Sequence, residues 1–199
     1  MQKSVAHIFG GEGKVKIMRL FIFNPNLAFT SSEVAQRAKT RPPVARRELA
    51  DLIRAGLVRK RGKTFTLNKN YRYLPAIGNF LIDAAPLSEK EIVKRLSASG
   101  NIKLVLISGV FLHDPDSRVD LLVVGDNIRQ GKLLSIMSSI EAELGSELRY
   151  AVFETSDFNY RLGIYDKLIR DILESRHEKI LNKLSLQPAP AVAPGYPQA

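Results

Sequence analysis

The 199-residue sequence contains no cysteine, and this absence excludes disulfide bonds, thiolate nucleophiles and cysteine-ligated zinc sites. It also contains no apolar run that approaches the roughly 20 residues of a transmembrane helix. Residues 1–10 lack the long apolar stretch of a signal peptide. We therefore expect a cytoplasmic protein with no membrane partner.

Two signatures of cofactor chemistry are also missing. The sequence has no glycine-rich loop of the P-loop type, which holds nucleotide phosphates with backbone N–H groups. Its three histidines are isolated from other groups at metal-ligand spacing. The sequence therefore predicts neither a bound cofactor nor a metal site.

Positive charge is abundant and unevenly distributed. The chain has 30 Lys+Arg against 20 Asp+Glu, a formal net charge of +10. Residues 1–85 contain 16 bases and 5 acids, whereas residues 86–199 contain 14 bases and 15 acids. This asymmetry predicts two domains, at 1–85 and 86–185, followed by a disordered proline-rich tail at 186–199. A basic half indicates a nucleic acid or an anionic surface as its partner.

The basic half predicts three helices followed by a hairpin. Gly10, Gly11 and Gly13 should break any early helix, so the first helix begins near Lys14. Thr30 and Glu33 form a capping-box pattern that opens a second helix over 31–38. A third helix begins at the two prolines of 42–43 and ends at Gly56. The β-prone runs 57–60 and 64–67 flank a basic turn, which is a hairpin signal.

The third helix and the hairpin concentrate the positive charge. Nine bases and only two acids lie between Lys39 and Lys63. An apolar stripe of Ala45, Leu49, Leu52 and Ile53 should be buried, which turns Arg46, Arg47, Ala50 and Arg54 outward. Arginine suits bidentate contacts to phosphates and guanine edges. We expect a DNA duplex as partner, with RNA or a membrane surface as alternatives. Single-stranded nucleic acid is disfavoured because no exposed aromatics lie between the bases.

Residues 9–70 resemble a bacterial or archaeal winged helix-turn-helix transcription regulator of the broad ArsR-like kind. The resemblance rests on the segments VKIMRL (15–20), FTSSEVA (29–35), VARREL (44–49) and LIRAGLV (52–58). It implies that the third helix reads DNA through Arg41, Val44, Arg46 and Arg47, and that the wing uses Arg59, Arg61 and Lys63. The cysteine motif of the metal-sensing members is absent, so metal control is not implied.

Hydroxyl groups near the helix starts extend this candidate DNA surface. Ser31, Ser32 and Thr40 could bind phosphates alongside backbone N–H groups. Arg54 adds an outward positive charge at the end of the third helix. Together with the seven groove and wing residues, these four complete the predicted DNA-binding set.

The near-neutral half alternates strands with helices. Strands are expected at 103–108, 119–124 and 148–153, and helices at 88–96, 131–144, 156–162 and 165–184. The alternation predicts a small α/β domain with a mixed sheet. The fold class of the whole chain is therefore α+β, with a winged helix-turn-helix followed by this domain.

The segment from Ser108-Gly109 to 117–124 resembles a minimal nucleotidyltransferase, related to polymerase beta. That family has a Gly-Ser turn and an Asp-x-Asp pair that holds magnesium. Here the turn reads Ser108-Gly109, Arg118 stands at the first metal position, Asp120 matches the second, and Glu154 matches a third by placement only. We expect Arg118 to repel magnesium and to pair with Asp120. These five residues are then catalytic remnants, and the chain is not an enzyme.

The expected function is that of a DNA-binding transcription regulator whose second domain dimerises, senses a ligand or docks a partner. A homodimer is expected because one winged helix covers a small footprint on DNA. Two alternatives stay open. The second half is either an active, antitoxin-like nucleotidyltransferase that modifies a protein or RNA, or an unrelated α/β domain used for dimerisation.

Overall fold

The computed structural model describes residues 2–84, 87–112, 114 and 116–184, and these form an α+β structure. The predicted tail and the residues on either side of the predicted boundary at 85/86 lie outside this part of the chain. The described helices are α1 (Gln2–Phe9), α2 (Glu12–Ile22), α3 (Ser31–Arg37), α4 (Pro42–Arg54), α5 (Leu74–Asp83), α6 (Glu89–Ser97), α7 (Gln130–Leu144), α8 (Thr155–Gly163) and α9 (Lys167–Glu174). The strands are β1 (Ala28–Thr30), β2 (Val58–Arg61), β3 (Thr64–Leu67), β4 (Asn101–Ile107), β5 (Leu121–Asp126), β6 (Tyr150–Phe153) and β7 (Glu178–Asn182). Within these residues, no helix has both the length and the apolar character needed to cross a membrane.

The chain divides into two compact units that are not contiguous in sequence. The first contains the residues up to Ser99 together with Arg129–Leu148, and the second contains Gly100–Ile128 together with the residues from Arg149 onward. This division differs from the one that the charge distribution predicts, because α6 and α7 belong to the first unit. The reason is packing, since α7 lies against α2 and α6 lies against α7.

The first unit contains the three predicted helices, the predicted hairpin and one strand that the sequence did not indicate. Strand β1 is only three residues long and pairs antiparallel with β3, which makes a sheet of order β1-β3-β2. Phe29 in β1 is buried opposite Phe65 in β3. Phe29 and Phe65 are 36 residues apart in the sequence, so the local pattern around Phe29 does not indicate that it forms a strand.

Local signals set the ends of α3 and α4 as expected. The backbone N–H of Thr30 donates to Glu33 Oε2 at 2.6 Å, and the N–H of Glu33 donates to Thr30 Oγ1 at 3.3 Å. This is the predicted capping box. Helix α4 begins at Pro42 and stops before Gly56, whose φ of +81° is accessible to glycine at little cost.

The predicted effect of the N-terminal glycines is wrong in part. Gly10 and Gly11 have φ of +83° and +137° and do separate two helices, but α1 precedes them and α2 contains Gly13. A Cβ at Gly13 would lie 3.3 Å from Val44 Cγ1. The absent side chain therefore lets α4 approach α2 closely, and this tertiary contact outweighs the low helix propensity of glycine.

A buried arginine joins α2 to the end of α5. Arg19 is 3% exposed and donates from one terminal nitrogen to the carbonyl oxygens of Leu81 at 2.6 Å and Ala84 at 2.8 Å. These carbonyls carry the partial negative charge of a helix C-terminus, which favours a cation. Burial lowers the pKa of Arg19 to about 10, so the guanidinium remains charged at neutral pH.

Helix α7 ends where it meets α2. Gly145 follows α7 with φ +82°, and a Cβ at this position would lie 2.5 Å from the carbonyl carbon of Arg19. Asn24 donates to the carbonyl oxygen of Gly145 at 2.6 Å. Only glycine satisfies both the left-handed backbone and the contact with α2.

The second unit has a four-stranded sheet of order β6-β5-β4-β7. Strands β5 and β6 run parallel and the other pairs antiparallel, so the sheet is mixed, as predicted. Phe158, Ile169 and Ile172 from α8 and α9 pack on one face of the sheet. That face carries Leu104, Leu106, Leu122 and Val124 from the two central strands.

The helix predicted over 165–184 is wrong in its second half. Helix α9 stops at Glu174, and residues 178–182 form β7 beside β4, with Val105 opposite Leu181. Tertiary pairing with a buried central strand overrides the local helical pattern. Strand β5 also begins at Leu121, two residues later than predicted.

We expect Gly145→Ala to destabilise the first unit by about 1–3 kcal/mol, because alanine disfavours positive φ and its Cβ would overlap the backbone of Arg19. Thermal unfolding followed by far-UV circular dichroism measures the effect. Gly131→Ala is the matched control, since Gly131 lies in the same α7 and a Cβ there has nothing within 4 Å. Equal melting temperatures for the two variants would contradict the packing assigned to Gly145.

A second prediction concerns acid stability of the second unit. Asp126 accepts from Lys103 at 2.7 Å and from the N–H of Thr155 at 3.2 Å, and these contacts lower the pKa of Asp126 from 3.8 to about 2. A carboxyl with a depressed folded-state pKa contributes stability above its unfolded pKa and loses it as the pH falls. Asp126→Asn should therefore flatten the loss of stability between pH 4 and pH 2 in acid titrations. An unchanged acid transition would count against this interaction.

Candidate nucleic-acid interface

The outward face of α4 carries the predicted basic residues. Of the predicted stripe, Ala45, Leu49 and Leu52 are buried and Ile53 is half-buried. The residues predicted to face outward, Arg46, Arg47, Ala50 and Arg54, are exposed. Arg41 is exposed at the N-cap of the helix. The start of α4 therefore presents exposed cations, but few backbone donors, because Pro42 and Pro43 occupy its first two positions and have no N–H.

Two acidic residues of α4 lie within a local network of ion pairs. Lys14 on α2 lies 3.1 Å from Glu48 and 3.0 Å from Asp51, and these contacts raise the pKa of Lys14. Arg47 donates to Glu48 at 2.7 Å, and Arg54 pairs with Asp51. The positive charges of Arg47 and Arg54 are thus partly neutralised within the first unit.

Arg46 differs from its neighbour Arg47. Its Nε donates to the carbonyl oxygen of Pro42 at 3.4 Å, and no carboxylate among the described residues pairs with it. Arg41 likewise has no ion pair within the described structure. These two side chains of α4 keep their full charge for an external anion.

The β2–β3 hairpin extends the cationic surface. Arg59, Lys60, Arg61 and Lys63 are exposed, and none has an ion pair with any residue that the structure describes. Gly62 adopts φ +57° at the tip, which turns the chain between the strands. The hairpin therefore holds three cations on β2 and one in the turn, none of them paired to a described residue.

The uncharged residues of the predicted DNA-binding set differ in how exposed they are. Ser32 is exposed and Ser31 half-buried in the first turn of α3. The Thr40 hydroxyl oxygen is buried and has no hydrogen bond from described residues. Val44 is half-buried with Cγ1 beside Gly13 of α2. The side chains of Thr40 and Val44 therefore pack partly against Gly13 of α2.

Helix α7 contacts the α3–α4 turn, which sequence reasoning missed. Lys39 in this turn adopts a positive φ of 47° and donates to the carbonyl oxygen of Ser135 at 3.1 Å. Arg37 pairs with Glu147 at 2.7 Å. The partners are about 100 residues apart in sequence, so nothing in the local pattern could have indicated them.

Asp120 in the second unit is buried and fully occupied by other groups. Its Oδ1 accepts from the N–H of Val110 at 2.9 Å and from Arg149 at 3.1 Å. Its Oδ2 accepts from the N–H of Arg149 at 2.8 Å and from Arg149 Nε at 3.3 Å. The carboxylate has four donors and is 2% exposed as a residue, which leaves no open position for a ligand.

The expected pair between Arg118 and Asp120 is wrong. Arg118 is exposed, and its Nε lies 3.0 Å from Asp171 Oδ2 on α9. Arg149 takes the place predicted for Arg118. Asp120 precedes β5 and Arg149 precedes β6, its parallel neighbour, so strand pairing brings together two residues 29 positions apart.

The Ser108-Gly109 turn closes around the same carboxylate. Gly109 has φ +51°, and a Cβ there would lie 2.0 Å from Asp120 Oδ1. The hydroxyls of Ser108 and Ser117 both donate to the carbonyl oxygen of Val119, at 2.5 and 2.7 Å. A turn whose N–H could bind a phosphate therefore binds a side chain of its own chain.

Glu154 lies at the far end of the sheet from Asp120. The register pairs Leu121 with Tyr150 and Val124 with Phe153, which puts Glu154 beyond the opposite end of the paired segment. At about 3.3 Å per residue, the two backbone positions are about 16 Å apart along the strands. They cannot share one metal ion. Across the described ranges, no cluster of three or more His, Asp or Glu is suited to hold a metal.

A comparison with protein-family models found no match to this chain, and comparisons with curated proteins and with solved structures found no significant match.

We expect Asp120→Ala to destabilise the second unit by about 2–4 kcal/mol, because it removes a buried carboxylate that accepts from the N–H of Val110 and from the Arg149 guanidinium. Chemical denaturation followed by circular dichroism measures the loss. Asp116→Ala is the control, since Asp116 is an exposed residue of the preceding loop. If both variants unfold at the same denaturant concentration, Asp120 does not organise the turn.

Proposed function

We propose that this chain is a DNA-binding transcription regulator whose first unit is a winged helix-turn-helix. The observation that carries the proposal is a set of exposed cations that have no ion pair with any described residue, at the N-cap of α4, on α4 and on the β2–β3 hairpin: Arg41, Arg46, Arg59, Arg61 and Lys63. Two sets of unpaired bases on neighbouring elements suit a helix in the major groove and a hairpin against adjacent phosphates.

The order of elements supports this proposal. The chain runs α2, β1, α3, α4, β2 and β3, and the small sheet has the order β1-β3-β2. In this arrangement α4 follows a short turn after α3, and the hairpin follows α4 directly. A winged helix-turn-helix has the same succession of helices and strands, so the proposal needs no rearrangement of the fold.

The character of the exposed side chains favours a duplex over a single strand. Single-strand binders stack bases on exposed aromatic rings. The described surface of α4 and of the hairpin has no exposed aromatic side chain, since Phe65 is 9% exposed and packs in the core. Arginine-rich surfaces without aromatics act through phosphates and groove edges.

We assign no catalysis to the second unit, which we regard as a nucleotidyltransferase-like domain without its chemistry. Asp120 is occupied by Arg149, Arg118 pairs with Asp171, and Glu154 lies at the other end of the sheet. A magnesium ion needs several oxygen ligands close together. Incubation with magnesium and labelled ATP tests this assignment, because label transfer that is lost in Asp120→Ala would overturn it.

Binding to a random-sequence DNA duplex, followed by fluorescence anisotropy, tests the DNA proposal. Arg46→Ala and Lys63→Ala should each weaken binding by about tenfold, or ~1.4 kcal/mol, and lower the salt slope by about one. Arg47→Ala should have a smaller effect, because Arg47 already pairs with Glu48. The control is Lys94→Ala, an exposed lysine on α6.

The same assay discriminates the alternatives. Unchanged affinity in Arg46→Ala and Lys63→Ala would remove α4 and the hairpin from the interface. Preferential competition by an RNA duplex of the same length would assign the surface to RNA. Selection of bound sites from the random pool would then give the preferred sequence and its symmetry.

A further inference from the structure

The two edge strands of the second unit differ in charge. Strand β7 carries the exposed residues Glu178 and Lys179, whereas β6, with the sequence YAVF, carries no charged residue and no proline. Charged residues on an edge strand discourage pairing with another chain. Edge β7 therefore has a feature that opposes such pairing, and edge β6 lacks it.

The outer edge of β6 remains available. Strand β5 is buried from Leu121 to Gly125, but all four side chains of β6 are only partly buried. In the part of the chain that the structure describes, no strand lies beyond β6 in the sheet. Its outward N–H and C=O groups are therefore not used in the sheet, and a further strand would satisfy them.

We infer that β6 pairs antiparallel with β6 of a second copy of this chain, which joins two four-stranded sheets into one of eight strands. The ends of the strand identify the partner. Arg149 precedes β6 and pairs with Asp120 while 52% of its side chain stays exposed, and Glu154 follows β6 with an exposed carboxylate. An antiparallel arrangement puts the positive end of each strand beside the negative end of the other.

Charge over the whole chain also favours contact through this unit. Residues 100–128 and 149–199 contain nine Lys+Arg and ten Asp+Glu, so the second unit has a net charge of −1, and the positive excess lies in the first unit. Electrostatic repulsion would oppose the association of two copies through strongly basic surfaces. Pairing through a nearly neutral sheet edge avoids this repulsion.

The symmetry of the pairing adds apolar surface. A two-fold axis that relates antiparallel edge strands is perpendicular to the sheet, so it keeps α8 of both copies on the same face. Tyr160, Ile164 and Tyr165, at the end of α8, are 67%, 56% and 81% exposed. Each of these exposed apolar side chains offers surface that association of two copies can bury.

Sedimentation equilibrium of the full chain, without DNA, tests the inference. A dimer is expected, and Glu154→Lys should weaken it by about fivefold, because two symmetry-related charge pairs become repulsive. Glu178→Lys makes the same charge change on edge β7 and should leave the dimer unaffected. The measurement uses no nucleic acid, so its result is independent of the DNA-binding proposal.

Two proline variants test the backbone contact. Successive residues of a strand direct their N–H groups to opposite edges, so Ala151→Pro and Val152→Pro differ in which edge loses a donor. The variant that loses an outward N–H should keep the melting temperature of the native chain and sediment as a monomer. The variant that loses an N–H directed at β5 should lose stability. Amide hydrogen exchange in β6 should also slow as protein concentration rises.

Two results would overturn the inference. One is a chain that stays monomeric up to about 100 μM, a concentration at which a dimer of micromolar affinity is largely formed. The other is a dimer that Glu154→Lys and Glu178→Lys weaken equally, with β6 exchange independent of concentration. The second result would assign the dimer to a different surface.

Discussion

Arg19 lies buried in α2 with no carboxylate partner among the described residues, and the carbonyl groups of Leu81 and Ala84 at the end of α5 accept from its guanidinium. The side chain of Arg19 thus fixes the end of α5. The backbone of Arg19 leaves room only for glycine at position 145. Helix α4 packs on α2 as well, through the space beside Gly13. The orientation of the exposed basic residues of α4 therefore depends on α2. Helix α2 is held by its contacts with α4, α5 and Gly145, and these contacts allow little substitution.

The parts of the fold that local chemistry determines could be predicted from the sequence. The capping box at Thr30, the stop at Gly56 and the outward turn of Arg46 follow from neighbouring residues, and each was predicted. The parts that depend on distant pairing could not. Residues 178–182 form a strand beside β4, and α7 joins the first unit through contacts with α2, α3 and α6, all of them distant in sequence. Arg149, rather than the nearby Arg118, pairs with Asp120 because parallel strands place them together.

The carboxylate of Asp120 has a role opposite to that of a metal ligand. A catalytic carboxylate keeps free lone pairs in a site open to substrate, whereas Asp120 has its oxygens satisfied by a backbone turn and an arginine. The negative charge is then a structural element that joins the Ser108-Gly109 turn to the start of β6. A strand edge positioned by such a fixed ion pair is well suited to binding, because its ends do not need to be ordered when a partner arrives.

The interleaving of the two units affects how the protein is made. The first unit is complete only when residue 148 has been synthesised, since α7 supplies part of its packing. The second needs β7, which ends at Asn182. The apolar core of the first unit lies between Phe9 and Leu81, so it can form before α7 is synthesised, whereas the core of the second unit extends from Leu104 to Leu184. Neither unit corresponds to a single stretch of sequence, so a stop codon near the predicted boundary would remove α6 and α7 from the unit that they complete.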